Sequence, residues 1–340
     1  MFRRWTIPAL LALGGLALLA APAATTAAHP LQGKKIRVLL IDGQNNHTWQ
    51  ATTPFMKKAL EDSGRFTVEV ATTPPAPPKR PAKPKEETPE AKAKYEEMLA
   101  IVMKAEAEYE KAMAKFNPDL SNIDVVVSNY NGLTWSKEFS QAFETALKEG
   151  KIALVIVHAA NNSFPGKWAE YDKMIGMGWR NNSYGDRLIV DDKGEEVRVP
   201  KGKGPGAGHG ARHAFPVVIR DKNHPVTKGM PDEWLHAKDE LYQGMRGPVE
   251  NVHLLATAFA DPAKDGKTAT SAHEPMMWTV SYGKGRVFHT PMGHDVEAMR
   301  CVGFITVLQR GTEWAATGEV TIPIPQNFPT AGKTSSVPEK

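Results

Sequence analysis

Eleven histidines stand in this chain, and their placement says more than their number. Three fall just beyond apolar runs that read as buried strands. His47 closes Gly43-Gln44-Asn45-Asn46-His47, and His158 opens His158-Ala159-Ala160-Asn161-Asn162-Ser163. His294 lies in His289-Thr290-Pro291-Met292-Gly293-His294-Asp295. In an open parallel sheet, ligands bind outside the carboxyl ends of the strands. These imidazoles are therefore expected to face one crevice. Histidine titrates near neutral pH, so such a cluster predicts general acid–base chemistry. We expect His294, Asp295, His158 and Glu240 to be catalytic, with His294 as acid/base and Asp295 or Glu240 orienting it. His158 and His47 would polarise or bind. Asn129, Asn161, Asn162, Arg212 and His213 are expected to join His47 in holding substrate.

A metal centre built without a helix is a further expectation, from His47, His158, His209 and His294. Imidazole suits zinc or an iron-group ion, so a divalent metal stays open as cofactor. His209 and His213 have helical spacing, but the glycines around them argue against a helix, and no glutamate follows the first histidine as in zinc metalloproteases. His224, His253 and His273 read as surface or structural. His236 lies in an alternating stretch, Leu235 to Tyr242, that suits a half-buried strand. Trp49, Trp135, Trp168, Trp179 and Trp278 could stack on sugar faces, and the polar surroundings of Trp168 and Trp179 favour those two.

Other chemistries are disfavoured. Cys301 is the single cysteine, which removes disulfides and thiolate zinc sites. There is no Gly-x-Ser-x-Gly elbow for a serine hydrolase. The Gly-rich run Gly202 to Gly210 lacks the Gly-Lys-Ser/Thr ending of a phosphate loop, so it reads as a mobile lid. A formal charge of +4, reduced to +2 without Arg3 and Arg4, is too weak and too evenly spread to predict nucleic acid as a partner.

The elements that must position these residues follow from hydropathy. Lys35–Ile41, Ile123–Val127 and Ile152–Val157 are apolar on both faces, as parallel strands covered by helices must be. Thr52–Asp62 and Ser136–Leu147 have helical periodicity, with Ser136 as N-cap. Met276–Ser281 and Arg286–His289 flank Tyr282-Gly283-Lys284-Gly285 as a hairpin. Strand–helix–strand alternation predicts a doubly wound α/β domain over residues 34–325. Residues 73–118 interrupt it as an insertion: a Pro/Lys-rich linker, then a Glu/Lys/Ala helix expected to project from the domain. That helix, over 90–116, is either a solubilising spacer or a docking element for a protein partner. Residues 326–340 are expected to be a loose tail.

The N-terminus reads as an export signal over residues 1–28. Arg3 and Arg4 precede the apolar run Ile7–Ala21, and small residues follow. Cleavage there would leave no membrane span and a periplasmic or extracellular protein.

Several stretches together carry a resemblance. Asp221 to Pro231 (DKNHPVTKGMP), Asp239-Glu240-Leu241-Tyr242, Val157-His158-Ala159-Ala160, and Gly283 to Asp295 (GKGRVFHTPMGHD) resemble the ThuA-like (trehalose utilisation) family. Phe304 to Trp314 is similar to its secreted members. The resemblance implies a flavodoxin-like fold of the class I glutamine amidotransferase type. It also implies a role in the catabolism of trehalose or a related disaccharide, including 3-keto sugars. In those amidotransferases a cysteine sits on the elbow after a central strand. Here the elbow is expected at Ala160-Asn161-Asn162-Ser163, without a cysteine, which argues against thiol-dependent amide hydrolysis. Three readings follow: a sugar-acting hydrolase, lyase or isomerase; a non-catalytic carbohydrate-binding accessory module; or a metal-dependent hydrolase.

Overall fold

The first strand, β1 (Ile36–Asp42), is buried along its length except at Arg37. Alternate side chains of a strand face opposite ways, and here each face meets a core. Ile36, Val38 and Leu40 pack with Met56 and Leu60 of helix α1 (Trp49–Asp62), while Leu39 and Ile41 join the opposite core. Strand β2 (Phe66–Thr72), helix α2 (Pro89–Met113), strand β3 (Val125–Ser128), helix α3 (Lys137–Lys148) and strand β4 (Ala153–Val157) follow. Every residue of β3 and β4 is buried. The computed structural model describes Met1 and residues 34–339. Apart from Met1, the leader expected over residues 1–28 lies outside the described residues.

The second half contains α4 (Ala169–Ile175), β5 (Arg187–Val190), β6 (Glu196–Val199), β7 (His213–Ile219), β8 (Glu233–Asp239), β9 (Val252–Phe259), α5 (Pro262–Asp265), β10 (His273–Tyr282), β11 (Gly285–Thr290), α6 (Val296–Met299) and α7 (Val302–Thr317). The strands lie in the order β2-β1-β3-β4-β11-β10-β9-β7-β8, with β5 and β6 off this path. From β2 to β11 every neighbouring pair is parallel. Counting β11 as the fifth strand, this is the 2-1-3-4-5 order of flavodoxin-like sheets. Beyond β11 the neighbours are antiparallel. The expected hairpin is present, with Trp278 opposite His289. It continues into a larger antiparallel annex than the sequence suggested.

Helices cover both faces of the parallel half. Phe139, Phe143 and Leu147 of α3 share a core with Leu154 and Ile156. On the other face, Phe304, Val307 and Leu308 of α7 share one with Val155, Val157 and Phe288. Ser136 caps α3, its Oγ accepting the Phe139 N–H at 3.1 Å, a contact worth about 1 kcal/mol.

Two segments differ from expectation. The inserted helix α2, expected to project, is tied to the domain: Val102 and Met113 are buried, and Gln44 Nε2 donates to the Tyr109 hydroxyl at 3.1 Å. The segment after Pro325, expected to be loose, is hydrogen-bonded to the body. Leu235 N–H donates to the Thr330 carbonyl, Val302 N–H to Ser335 and Val337 N–H to Arg300, while Phe328 packs on Trp234. Its backbone finds β8 and α7 as partners, which composition alone does not reveal. Among the described residues, no helix is long and apolar enough to cross a membrane.

Candidate functional site

Three strand ends of the parallel half and the end of β8 deliver one cluster. His47 comes from the loop after β1, His158 directly follows β4, and His294 follows β11. Glu240 directly follows β8. His47 lies 4.7 Å from His158 and 4.5 Å from His294 between ring centroids. His158 and His294 are 5.5 Å apart. Glu240 Oε2 is 3.6 Å from His158 Nε2 and 3.1 Å from His294 Nδ1. His209 reaches the same carboxylate from the Gly-rich loop, with Nε2 3.5 Å from Oε1. One ligand atom from each of His47, His158, Glu240 and His294 falls within a mutual 4.8 Å.

His158 sits on a sharp turn. Its φ is +48°, left-handed backbone that a non-glycine residue adopts at a cost of about 1–3 kcal/mol. The elbow after β4 is thus at His158 itself, two residues before the start of the expected Ala160–Ser163. Its Nδ1 faces the Pro291 carbonyl at 2.7 Å, an acceptor, so Nδ1 carries the hydrogen and Nε2 keeps its lone pair. The Tyr242 hydroxyl lies 3.0 Å from that Nε2.

Asp239, wholly buried, fixes the rest. Its Oδ1 accepts the N–H of Glu240 at 2.8 Å and of His294 at 3.1 Å. Its Oδ2 accepts the N–H of Gly293 at 2.7 Å and His236 Nε2 at 2.8 Å. Burial pushes this carboxyl up, but the bond to His236, the charges of His236 and His158, and the Gly293 amide bring it down to about 2. His236 rises to about 9 although burial opposes its charge, because Cys301 and Asp239 both favour the proton. Burial lowers His158, and burial together with repulsion from His158 and His294 brings His47 down to about 4. Burial would also raise Glu240, yet its contact with His294 and the charges of His158, His294 and His209 leave it below the ordinary value. That same contact raises His294. At 3.1 Å the two atoms interact electrostatically, yet neither Glu240 Oε2 nor His294 Nδ1 has an aligned hydrogen-bond partner.

Of the other expected residues, Trp179 borders the cluster, its ring 4.6 Å from Tyr242 and 5.7 Å from His209. Asn162, partly exposed, lines a neighbouring hollow with Asn46, Trp49 and Asn131. The remainder are engaged elsewhere. Asp295 caps α6 through the Ala298 N–H at 3.0 Å and pairs with Arg212 at 2.9 Å, so it does not orient His294. Arg212 also meets Glu297 at 3.2 Å. His213 pairs with Asp265 at 3.0 Å. The Asn129 amide donates to Thr52 and Thr53, each at 3.0 Å. Asn161 is fully buried with its Nδ2 3.2 Å from His289 Nε2. Trp168 packs among Trp135, Phe143, Phe164 and Tyr171.

The sequence marks Asp239 and Tyr242 only as part of the resembling stretch, and neither they nor Arg180 were expected at the site. Glu240 and Tyr242 stand two apart just beyond β8 and both reach His158 Nε2, at 3.6 and 3.0 Å; that alternate spacing was the available signal. Arg180, buried, donates to the Asn161 and Ser163 carbonyls at 3.0 and 2.7 Å and pairs with Asp172, holding the turn behind His158.

A flavodoxin-like sheet with imidazoles and a carboxylate at its carboxyl rim defines an α/β protein with a polar rim site. The particular family is also plain: the family model for ThuA, trehalose utilisation, matches residues 80–315, and the chain belongs to that family. A solved ThuA-like protein from Parabacteroides merdae is 37% identical, with 89% of this chain and 98% of that one covered and a TM-score of 0.75. A second, from Bacteroides uniformis, is 15% identical, with 86% and 96% covered and a TM-score of 0.52, a likeness of fold. No curated protein matches the chain.

Proposed function

We propose that this protein, after export, acts on trehalose, a related disaccharide or its 3-keto form, by proton transfer at the rim cluster. The observation that carries the reading is the meeting of three histidines and Glu240 at one rim. A sugar hydroxyl or enolisable carbonyl needs a group that gives and a group that takes a proton, and such groups contribute about 10²–10⁴-fold. His294 beside Glu240 supplies that pair, with Asp239 holding both backbones. Trp179 offers a partly exposed aromatic face beside it, suited to the apolar face of a sugar ring. Family membership supports the substrate class. The basic, apolar and small-residue order of residues 1–28 supports export.

The test is turnover of trehalose and 3-keto-trehalose by the purified protein, beside the variants His294→Ala and Glu240→Gln. Turnover by the parent and its loss in both variants is expected. Unchanged turnover in the variants removes the cluster from the reaction, and sugar affinity without any product makes the protein a binding module.

A further inference from the structure

We propose that His47, His158, His294 and Glu240 form a binding site for one divalent first-row transition metal ion, of the zinc or iron group. The inference names a cofactor for the site on which the carbohydrate reading rests, but its argument does not depend on the substrate.

Distances come first. Nitrogen and oxygen ligands lie about 2.0–2.2 Å from such an ion, which sets neighbouring ligand atoms about 2.8–3.6 Å apart in octahedral or tetrahedral sites. Glu240 Oε2 is 3.1 Å from His294 Nδ1 and 3.6 Å from His158 Nε2, already near that spacing. His47 brings its ring to both histidines and completes a group whose ligand atoms all lie within 4.8 Å.

Glu240 Oε2 and His294 Nδ1 are buried atoms without a hydrogen-bond partner. An unsatisfied buried polar atom costs about 1–3 kcal/mol, more if charged. Both atoms face each other across a gap too poorly aligned for a hydrogen bond, and a cation between them would satisfy both.

The surroundings are those of a ligand set. The Pro291 carbonyl fixes the His158 tautomer with its Nε2 lone pair free. Asp239 holds the backbone of Glu240 and His294, as outer partners of metal ligands do. Three imidazoles and one carboxylate suit zinc, iron or neighbouring ions; magnesium and calcium prefer all-oxygen sites. The Tyr242 hydroxyl competes for the same Nε2 and would have to release it.

The test uses the purified full-length protein, stripped with a chelator and then titrated with zinc, ferrous iron and manganese, with elemental analysis after dialysis. A single ion per chain is expected. His47→Ala and Glu240→Ala should each weaken binding by about 100-fold or more, and Asp239→Asn by about 10–100-fold. Tyr242→Phe should bind as well as the parent or better. His47 is a partly exposed loop residue, so its variant tests the ligand set without threatening the core; far-UV circular dichroism checks the others. In the cobalt-loaded protein, visible bands should change on His47→Ala. No ion bound, or binding equal in His47→Ala and the parent, overturns the proposal. Sugar turnover that persists in protein shown to be metal-free overturns a metal cofactor and spares the carbohydrate reading. Metal bound without any sugar turnover does the reverse.

Discussion

The carboxylate of Asp239 accepts the backbone N–H of His294 at 3.1 Å, across 55 residues of chain. The same side chain holds Glu240, Gly293 and His236. One buried acid thus sets the relative position of two site residues from different strands. Asp239→Ala would strand the buried His236 imidazole and three amides. We expect a loss of about 3–5 kcal/mol, as when a buried charge pair is broken, read from urea unfolding. A loss under 1 kcal/mol, roughly a surface pair's worth, would deny Asp239 this role.

Trp179 is expected to contact the sugar ring. Trp179→Ala should weaken disaccharide binding about tenfold, equivalent to about 1.4 kcal/mol, beside whatever stability its packing against the core supplies. Trp168→Ala should lower stability and leave disaccharide affinity unchanged, since that ring lies in the aromatic core with Phe164 and Tyr171, away from the cluster. Calorimetric titration beside chemical denaturation separates the two. Equal affinity in Trp179→Ala and the parent would put the sugar elsewhere.

His289 gives the fold a pH dependence. It is buried, its Nδ1–H donates to the Ile175 carbonyl at 3.2 Å, and Asn161 donates to its Nε2. Burial brings it down to about 3, against about 6.5 in the unfolded chain. As pH falls, the unfolded chain takes the proton first. The stabilisation is therefore complete above about pH 6.5 and is lost progressively towards pH 3, by up to about 1.4 kcal/mol per unit. His289→Gln should flatten that slope between about pH 6 and 4. Urea midpoints across this range give the answer, and an unaltered slope would assign the acid sensitivity to other groups.

Gly311 in α7 lies against Phe288. A Cβ added there would stand 2.2 Å from the ring. Alanine in an exposed helix interior normally gains about 1 kcal/mol over glycine. Here the clash should reverse the sign, and Gly311→Ala should lose about 1–3 kcal/mol by overpacking. A rise in the melting temperature would mean that the helix shifts to make room.

The elements the sequence revealed best were those buried on both sides. β1, β3 and β4 show nearly continuous apolar runs because helices cover each face, and the strand-end rule then placed His47, His158 and His294 together. Glu240 was found as a carboxylate within the alternating stretch Leu235 to Tyr242. Asp239 was not, because an acid beside alternating charges reads as solvent-facing; the four donors that make its burial tolerable come from β8, the β11 loop and its own neighbour. Asp295 misled for a related reason. It adjoins His294 in sequence, but its side chain turns to cap α6. The antiparallel annex was only partly visible, since β5 and β6 are four-residue strands whose pairing depends on distant partners.

The rim cluster draws on residues 47, 158, 240 and 294, spread over most of the described chain. Assembling it requires β1, β4, β8 and β11 to be in place together. A small molecule or ion that binds this cluster more tightly than it binds the unfolded chain raises the resistance of the native chain to heat by mass action. A library of sugars and salts screened by thermal shift would rank candidate occupants without knowledge of any reaction.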